Sequence, residues 1–472
     1  MVILLRLTDL SRYNSWWKLG RDFCRFDYDL RSIEYFIERH RYDFSIGNIY
    51  IIRGPRRSGK SVYIKLYISN LLSEGIEPRC ILYLPCDRLS SRKELSQILR
   101  NFIRFNDDSK RIYIFLDEVT YLPEWFLVLK DLAEMEVSSK ICVVATGSSP
   151  VSLKESSERL PGRRVEGNEL WLMPLSFREF ILNVPDRVLL IPKEKINKLK
   201  KTLIKIEFSF EEPNPNQLSG LYVWHEELEK LFDIYLRTGG MPELIMEYLR
   251  NRKISEKNLE MLIRFVLGEI SKAKKSEIIA LGILRYLTDN LTQRVDYKKI
   301  ANNIDAHHAT VRDIIETLQK ALILFQINHV DINTKKFSER KQKKFVFTDV
   351  ALVTALKSYI YGLSWDELIW EIERIKPNLI ENLVISTAIT SIHEPYRKEW
   401  WTRIGYFYTE KYEIDLVVLS KTKIQTYEVK YTEKTRTTRA KITITKDEID
   451  IEKSKIPSIY ILATTPKSPK TI

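Results

Sequence analysis

The chain has 472 residues, 44% hydrophobic and 29% charged, a balance that suits about three soluble domains with real cores. No run approaches the roughly 18 apolar residues of a membrane helix, and Arg6 and Asp9 break the apolar Met1–Leu5 opening, so neither a membrane span nor a signal peptide is expected. Net charge is +13, and residues 251–472 hold 38 Lys and Arg against 28 Asp and Glu, which suggests either a polyanionic partner for the C-terminal half or a generally basic proteome.

The four cysteines, Cys24, Cys80, Cys86 and Cys142, show no metal-ligand spacing and predict free thiols in a cytoplasmic chain. Residues 1–47 form an N-terminal extension with one predicted helix, Leu30 to Arg41, and the pair Trp16-Trp17, which reads as exposed. Residues 48–182 alternate strand and helix patterns. Continuous apolar runs at Ile49–Ile52, Cys80–Leu84, Ile112–Leu116 and Ile141–Ala145 predict a parallel sheet with helices on both faces.

Between the first strand and the helix predicted for Ser61 to Leu72 stands Gly54-Pro55-Arg56-Arg57-Ser58-Gly59-Lys60-Ser61. It fits the phosphate-loop pattern at each fixed position. The glycines let backbone N–H groups converge on an anion, Lys60 brings a positive charge to the β- and γ-phosphates, and Ser61 offers a hydroxyl to Mg²⁺. The helix N-terminus behind the loop favours the same anion. ATP with Mg²⁺ is the ligand expected. The apolar run ending in Leu116-Asp117-Glu118 adds two acids at the C-terminal end of a strand, where open α/β sheets bind ligands. Asp117 is assigned to Mg²⁺ and Glu118 to polarising the attacking water. Ser148, in Thr146-Gly147-Ser148-Ser149, is placed near the γ-phosphate or its water, with a simple strand-end cap as the alternative. Arg163, after the Pro161-Gly162 turn, is a candidate arginine finger for a neighbouring subunit, which predicts a homo-oligomer; a solvated basic turn is the alternative.

Residues 183–290 read as a helical lid or connector, with turn signals at Phe208–Gln217 and Arg237–Pro242. Residues 291–350 read as a winged helix. Ile300, Ala301 and Ile304 give one short helical face, 305–308 the turn, and Val311, Ile314, Ile315, Leu318 and Leu322 the second helix. His307, His308, Thr310 and Arg312 lie on its open face. A basic loop with Lys335, Lys336, Arg340, Lys341, Lys343 and Lys344 could meet phosphates, making DNA the expected partner; protein packing is the alternative use of such a module. Residues 365–472 form a last α/β domain: a helix from Asn378 to Ile392 with Glu381, a strand from Tyr412 to Leu419 with Asp415, and another from Ile424 to Tyr431 with Glu428 and Lys430. Period-two alternation puts Glu428 and Lys430 on one face.

Two resemblances sharpen this reading. The GPRRSGKS loop, the LDE strand end, the TGSS segment, Pro174-Leu175-Ser176-Phe177-Arg178-Glu179-Phe180 and Gly239-Gly240-Met241-Pro242-Glu243 resemble an archaeal and bacterial family of AAA+-type ATPases whose members typically carry a nuclease-like C-terminal region. The resemblance implies a P-loop NTPase sheet with a helical lid and Mg²⁺-dependent ATP hydrolysis. The last domain resembles the PD-(D/E)xK nuclease core, with helical Glu381, then Asp415, then Glu428-x-Lys430. That likeness implies Mg²⁺ on the three acids and Lys430 positioning water, hence DNA cleavage. It also implies a helix within 435–451, against which the β-branched run Ile442-Thr443-Ile444-Thr445 argues. A regulatory ATPase switch that grips proteins through a structural, non-cleaving domain is the alternative.

Overall fold

Runs apolar at consecutive positions are the mark of strands covered on both faces. In the computed structural model they become β1 (Ile49–Arg53), β2 (Ile81–Pro85), β3 (Ile112–Asp117) and β4 (Ile141–Gly147), which with β5 (Glu169–Trp171) form one parallel sheet. The structure describes residues 10–396 and 400–430 apart from 32, 34–38, 40–41, 136–138, 148–168, 185–190, 207–208, 212, 214–217, 411 and 421–422, together with the backbone of 441–444 and 449–452. The chain divides into two compact units, Met1–Met173 and Pro174–Ile472.

In the first unit the strand order is β2-β3-β4-β1-β5. One strand, β4, therefore stands between the phosphate-loop strand and the strand that ends in Asp117. Helix α1 (Lys60–Ser73) covers one face through Ile64, Tyr67, Ile68 and Leu71. Helices α2 (Arg92–Phe105) and α3 (Trp125–Glu134) cover the other through Leu95, Leu99, Phe102 and Leu129. Alternate residues of one strand feed opposite cores: Ile49 and Ile51 join the α2–α3 side, Tyr50 and Ile52 the α1 side.

The pair Trp16-Trp17 is not exposed: Trp16 is fully buried and Trp17 half-buried. Strand β2 is a sheet edge, whose open backbone groups need partners. The Asn14 side chain accepts from the Tyr83 N–H at 2.7 Å and donates to the Tyr83 carbonyl at 2.9 Å, as a paired strand would. Both indole N–H groups donate to the Ile81 carbonyl, at 3.1 and 2.8 Å. Lys65 of α1 is ion-paired with Asp27 and Asp29 and anchors the same segment. Of the helix expected at Leu30–Arg41, only the turn Tyr28–Arg31 lies within a described helix.

The second unit begins with helices α4 (Phe177–Asn183), α5 (Lys193–Lys205), α6 (His225–Thr238), α7 (Pro242–Asn251), α8 (Glu256–Lys272) and α9 (Glu277–Asp289). Ser176 and Glu179 close a capping box on α4. The segment around Leu175 meets the turn between α6 and α7, where the Leu175 N–H donates to the Gly240 carbonyl at 2.8 Å. A Cβ on Gly240 would fall 2.1 Å from the Leu175 carbonyl oxygen, so the approach requires glycine.

After α9 come β6 (Arg294–Val295), α10 (Tyr297–Asn303), α11 (His308–Lys320), β7 (Leu324–Asp331) and β8 (Lys336–Phe347). The basic stretch expected as a loop is thus mostly strand. It pairs with β7, and a register shift next to Asn328 lets residues 339–342 bulge out. Helices α12 (Val350–Tyr361), α13 (Trp365–Arg374) and α14 (Lys376–Tyr396) lead to β9 (Ile404–Tyr408), β10 (Glu413–Leu419) and β11 (Ile424–Tyr427). These strands share one sheet with the earlier three, in the order β11-β10-β9-β7-β8-β6, parallel only where β7 meets β9. Within 435–451, strands β12 (Lys441–Ile444) and β13 (Ile449–Glu452) pair as the β-branched residues favour.

Candidate functional site

The phosphate loop turns on two left-handed residues, Arg57 (φ 64°) and Gly59 (φ 90°). Gly54 admits no side chain, because a Cβ there would stand 2.2 Å from the Leu172 carbonyl oxygen. Lys60 is buried and its ammonium donates to the carbonyls of Gly54 and Pro55, at 3.0 and 2.9 Å, across the mouth of the loop. Ser61, the second residue of α1, is half-buried. Arg56 donates to the Tyr121 hydroxyl at 2.6 Å, Pro55 is buried, and Arg39 braces the loop from behind by donating to the Ser58 carbonyl at 2.7 Å.

Two observations test whether this loop suits a polyphosphate. The Ser58 hydroxyl is fully buried and has no hydrogen-bond partner among the described residues. The N-cap of α1, Gly59, supplies no side-chain acceptor, so the first-turn amides of the helix are not capped from within. An anion seated in the loop meets both needs, and the residues present fit it.

Asp117 is buried at the end of β3 with both oxygens held by neutral hydroxyls. Tyr83 on β2 donates to one at 2.6 Å and Thr146 on β4 to the other. Burial first, and the negative charge of Asp117 next, raise the Tyr83 pKa, so the phenol keeps its proton and remains a donor. The same two causes, in that order, push the adjacent Cys86 thiol up. Glu118 follows in the left-handed region (φ 52°), its N–H donating to the Thr146 hydroxyl at 3.2 Å. A non-glycine residue there is strained, and such strain gathers at working sites. Thr146 thus links both acids. It lies in the run that pointed to Ser148, two residues earlier, while Tyr83 gave no signal in its own strand. Ser148 and Arg163 lie outside the described residues.

In the second unit Glu381 (α14) and Asp415 (β10) meet around a shared lysine, while Glu428 and Lys430 pair with each other. The Val429 N–H donates to Asp415 at 2.9 Å, and Lys430 pairs with Glu428 at 2.8 Å although β11 has ended at Tyr427. The lysine is Lys344, which the sequence alone sends to the basic loop. Lys344 of β8, only 2% exposed, reaches Glu381 at 2.8 Å, Glu413 at 2.9 Å and Asp415 at 3.2 Å. Lys344 is therefore no part of a solvated basic wing, and neither is Lys343, which is buried and donates to the carbonyls of Glu339 and Lys341. Lys335, Lys336, Arg340 and Lys341 remain exposed around the hairpin. On α11 the His307 ring accepts from the Ala309 N–H as an N-cap, Arg312 pairs with Glu316, His308 is exposed and Thr310 is half-buried. No group of three or more His, Cys, Asp or Glu among the described residues is arranged to hold a metal ion.

Comparison with known proteins matches this geometry in the first unit. Residues 47–181 match the AAA domain family, and residues 229–366 match a domain of unknown function (DUF8612). The parallel sheet, the loop and this match make the region an AAA-type domain of the P-loop NTPase class, whose common property is nucleotide binding. An uncharacterized protein of Methanocaldococcus jannaschii is 28% identical over 363 residues, covering 74% of this chain and 68% of its own length. An uncharacterized protein of Haemophilus influenzae is 25% identical over 312 residues, covering 63% of this chain and 66% of its own. Among the described residues no helix is long and apolar enough to cross a membrane.

Proposed function

We propose that this protein is a Mg²⁺-dependent ATPase of the AAA type that acts on DNA. The observation that carries the ATPase reading is the loop with its buried ammonium, an orphaned serine hydroxyl and an uncapped helix start. Lys60 and the backbone N–H groups of Gly54, Arg56, Arg57, Ser58 and Gly59 hold the phosphates, and Pro55, which has no N–H, shapes the loop between them. Ser61 and Asp117 would hold Mg²⁺, which supplies charge neutralisation at the β- and γ-oxygens. Tyr83 and Thr146 fix the Asp117 carboxylate, and Glu118 orients the attacking water. Ser148 and Arg163 are assigned to the γ-phosphate and to a neighbouring subunit of a homo-oligomer.

DNA as partner is supported by the helix-turn-helix pair α10–α11 and the exposed cations of the β7–β8 hairpin, the arrangement of a winged helix. The test is ATP turnover with and without duplex DNA over a salt series. Stimulation that falls steeply with salt supports DNA action. Lys60→Ala is expected to abolish turnover, by about 100-fold or more, while the folded state persists. Turnover retained in that variant overturns the loop assignment. A second reading, a regulatory switch gripping proteins through a non-cleaving C-terminal domain, is favoured by Lys344 among the would-be metal ligands. It predicts no nucleic-acid binding even at low salt.

A further inference from the structure

We infer that the Lys344 ammonium is a built-in counter-ion that fills the cation position of the nuclease-like centre, so that this centre takes no divalent metal and fastens strands instead of cutting DNA. The nuclease-like reading of residues 365–472 supplies only the expectation that a metal belongs there.

A lysine ammonium has three N–H bonds, and Lys344 faces three carboxylates at 2.8, 2.9 and 3.2 Å. The second oxygen of each carboxylate is also engaged. Glu381 accepts from the Thr292 hydroxyl at 2.8 Å, Asp415 from the Val429 N–H at 2.9 Å, and Glu413 faces the Arg294 guanidinium at 3.2 Å. Arg294 in turn lies over the Tyr408 ring. Glu428, the remaining acid of the motif, is paired with Lys430. Every carboxylate in the cluster thus has a protein donor. A divalent ion bound by Glu381 and Asp415 would lie beside a positive charge that the fold has already buried.

The ammonium is enclosed by the three carboxylates, its side chain only 2% exposed. What the cluster does is mechanical. It ties β8 to α14 and to β10, and through Arg294 to β6, joining the hairpin that follows the helix-turn-helix to the C-terminal strands. The joint needs neither nucleotide nor metal.

The full chain, without nucleotide, is titrated with Mn²⁺ by calorimetry beside Asp415→Asn. Indistinguishable isotherms are expected, because any weak binding at Asp117 is common to both. Lys344→Met should gain a Mn²⁺ site that Lys344→Met/Asp415→Asn loses again. At 100 times its dissociation constant, Mn²⁺ should raise the melting midpoint of Lys344→Met by roughly 3–4 °C more than that of the wild type. A wild-type site abolished by Asp415→Asn overturns the inference, and so does a folded Lys344→Met that still refuses Mn²⁺. Should Lys344→Met not fold, the wild-type pair of isotherms decides. These binding readouts are independent of ATP turnover, so the inference and the ATPase reading fail separately.

Discussion

Two carboxylate sites in this chain sit in opposite electrical surroundings. Asp117 is buried between two neutral hydroxyls, which fix its orientation and leave its charge uncancelled. Glu381 and Asp415, both half-buried, close around a buried ammonium, which spends their charge within the protein. An acid kept for a metal is dressed by donors without charge; an acid kept for architecture is met by a cation. The residues around a carboxylate, more than the carboxylate itself, decide which work it can do.

The largest expected effect tests the second half of that contrast. Lys344→Met leaves three carboxylates without their shared ammonium, and should cost about 3–5 kcal/mol of stability at neutral pH in denaturant titrations. A loss under ~1 kcal/mol would mean that the cluster is solvated and the joint has no strength.

A third carboxylate sharpens the comparison, because it has neither hydroxyl nor cation. Asp349 caps α12, accepting from the Ala351 N–H at 2.6 Å and from the Gly240 N–H at 2.8 Å. Burial, opposed by those two amides, raises its pKa to about 6. A carboxyl whose folded pKa exceeds its unfolded value stabilises the fold fully below the unfolded value, and that contribution is lost as pH rises through the folded one. Stability of the wild type relative to Asp349→Asn should therefore fall between about pH 4 and pH 6, by on the order of 2–3 kcal/mol. Urea midpoints of both proteins across that window check it. A constant difference would show that Asp349 does not titrate there.

What the sequence disclosed was local or periodic. The loop is eight consecutive residues, and the buried strands are continuous apolar runs, so the sheet and the place of Asp117 could be read directly. Contacts set by strand order could not. Tyr83 serves Asp117 only because β2 lies beside β3, and Thr146 because β4 lies on the other side. Lys344 sat in a lysine-rich run that any composition argument sends to solvent; in the sheet it pairs opposite Ile327 of β7 and is buried. Trp16 and Trp17 looked exposed because nothing in their own segment required cover, whereas the edge of β2 required donors.

The smallest effect tests the first half of the contrast. Tyr83→Phe and Thr146→Val each remove one hydroxyl from Asp117 and keep the surrounding volume nearly constant. Groups that orient a metal-binding carboxylate typically matter by 10–100-fold, so each variant should lose about that factor in kcat for ATP. Binding of ATP without Mg²⁺ should not change, since Lys60 and the loop amides are untouched. That split separates positioning of the acid from general damage to the sheet, which would weaken binding as well. If both variants turn over at the wild-type rate, Asp117 does not need its two hydroxyls, and the distinction between a dressed and a spent carboxylate loses its functional meaning.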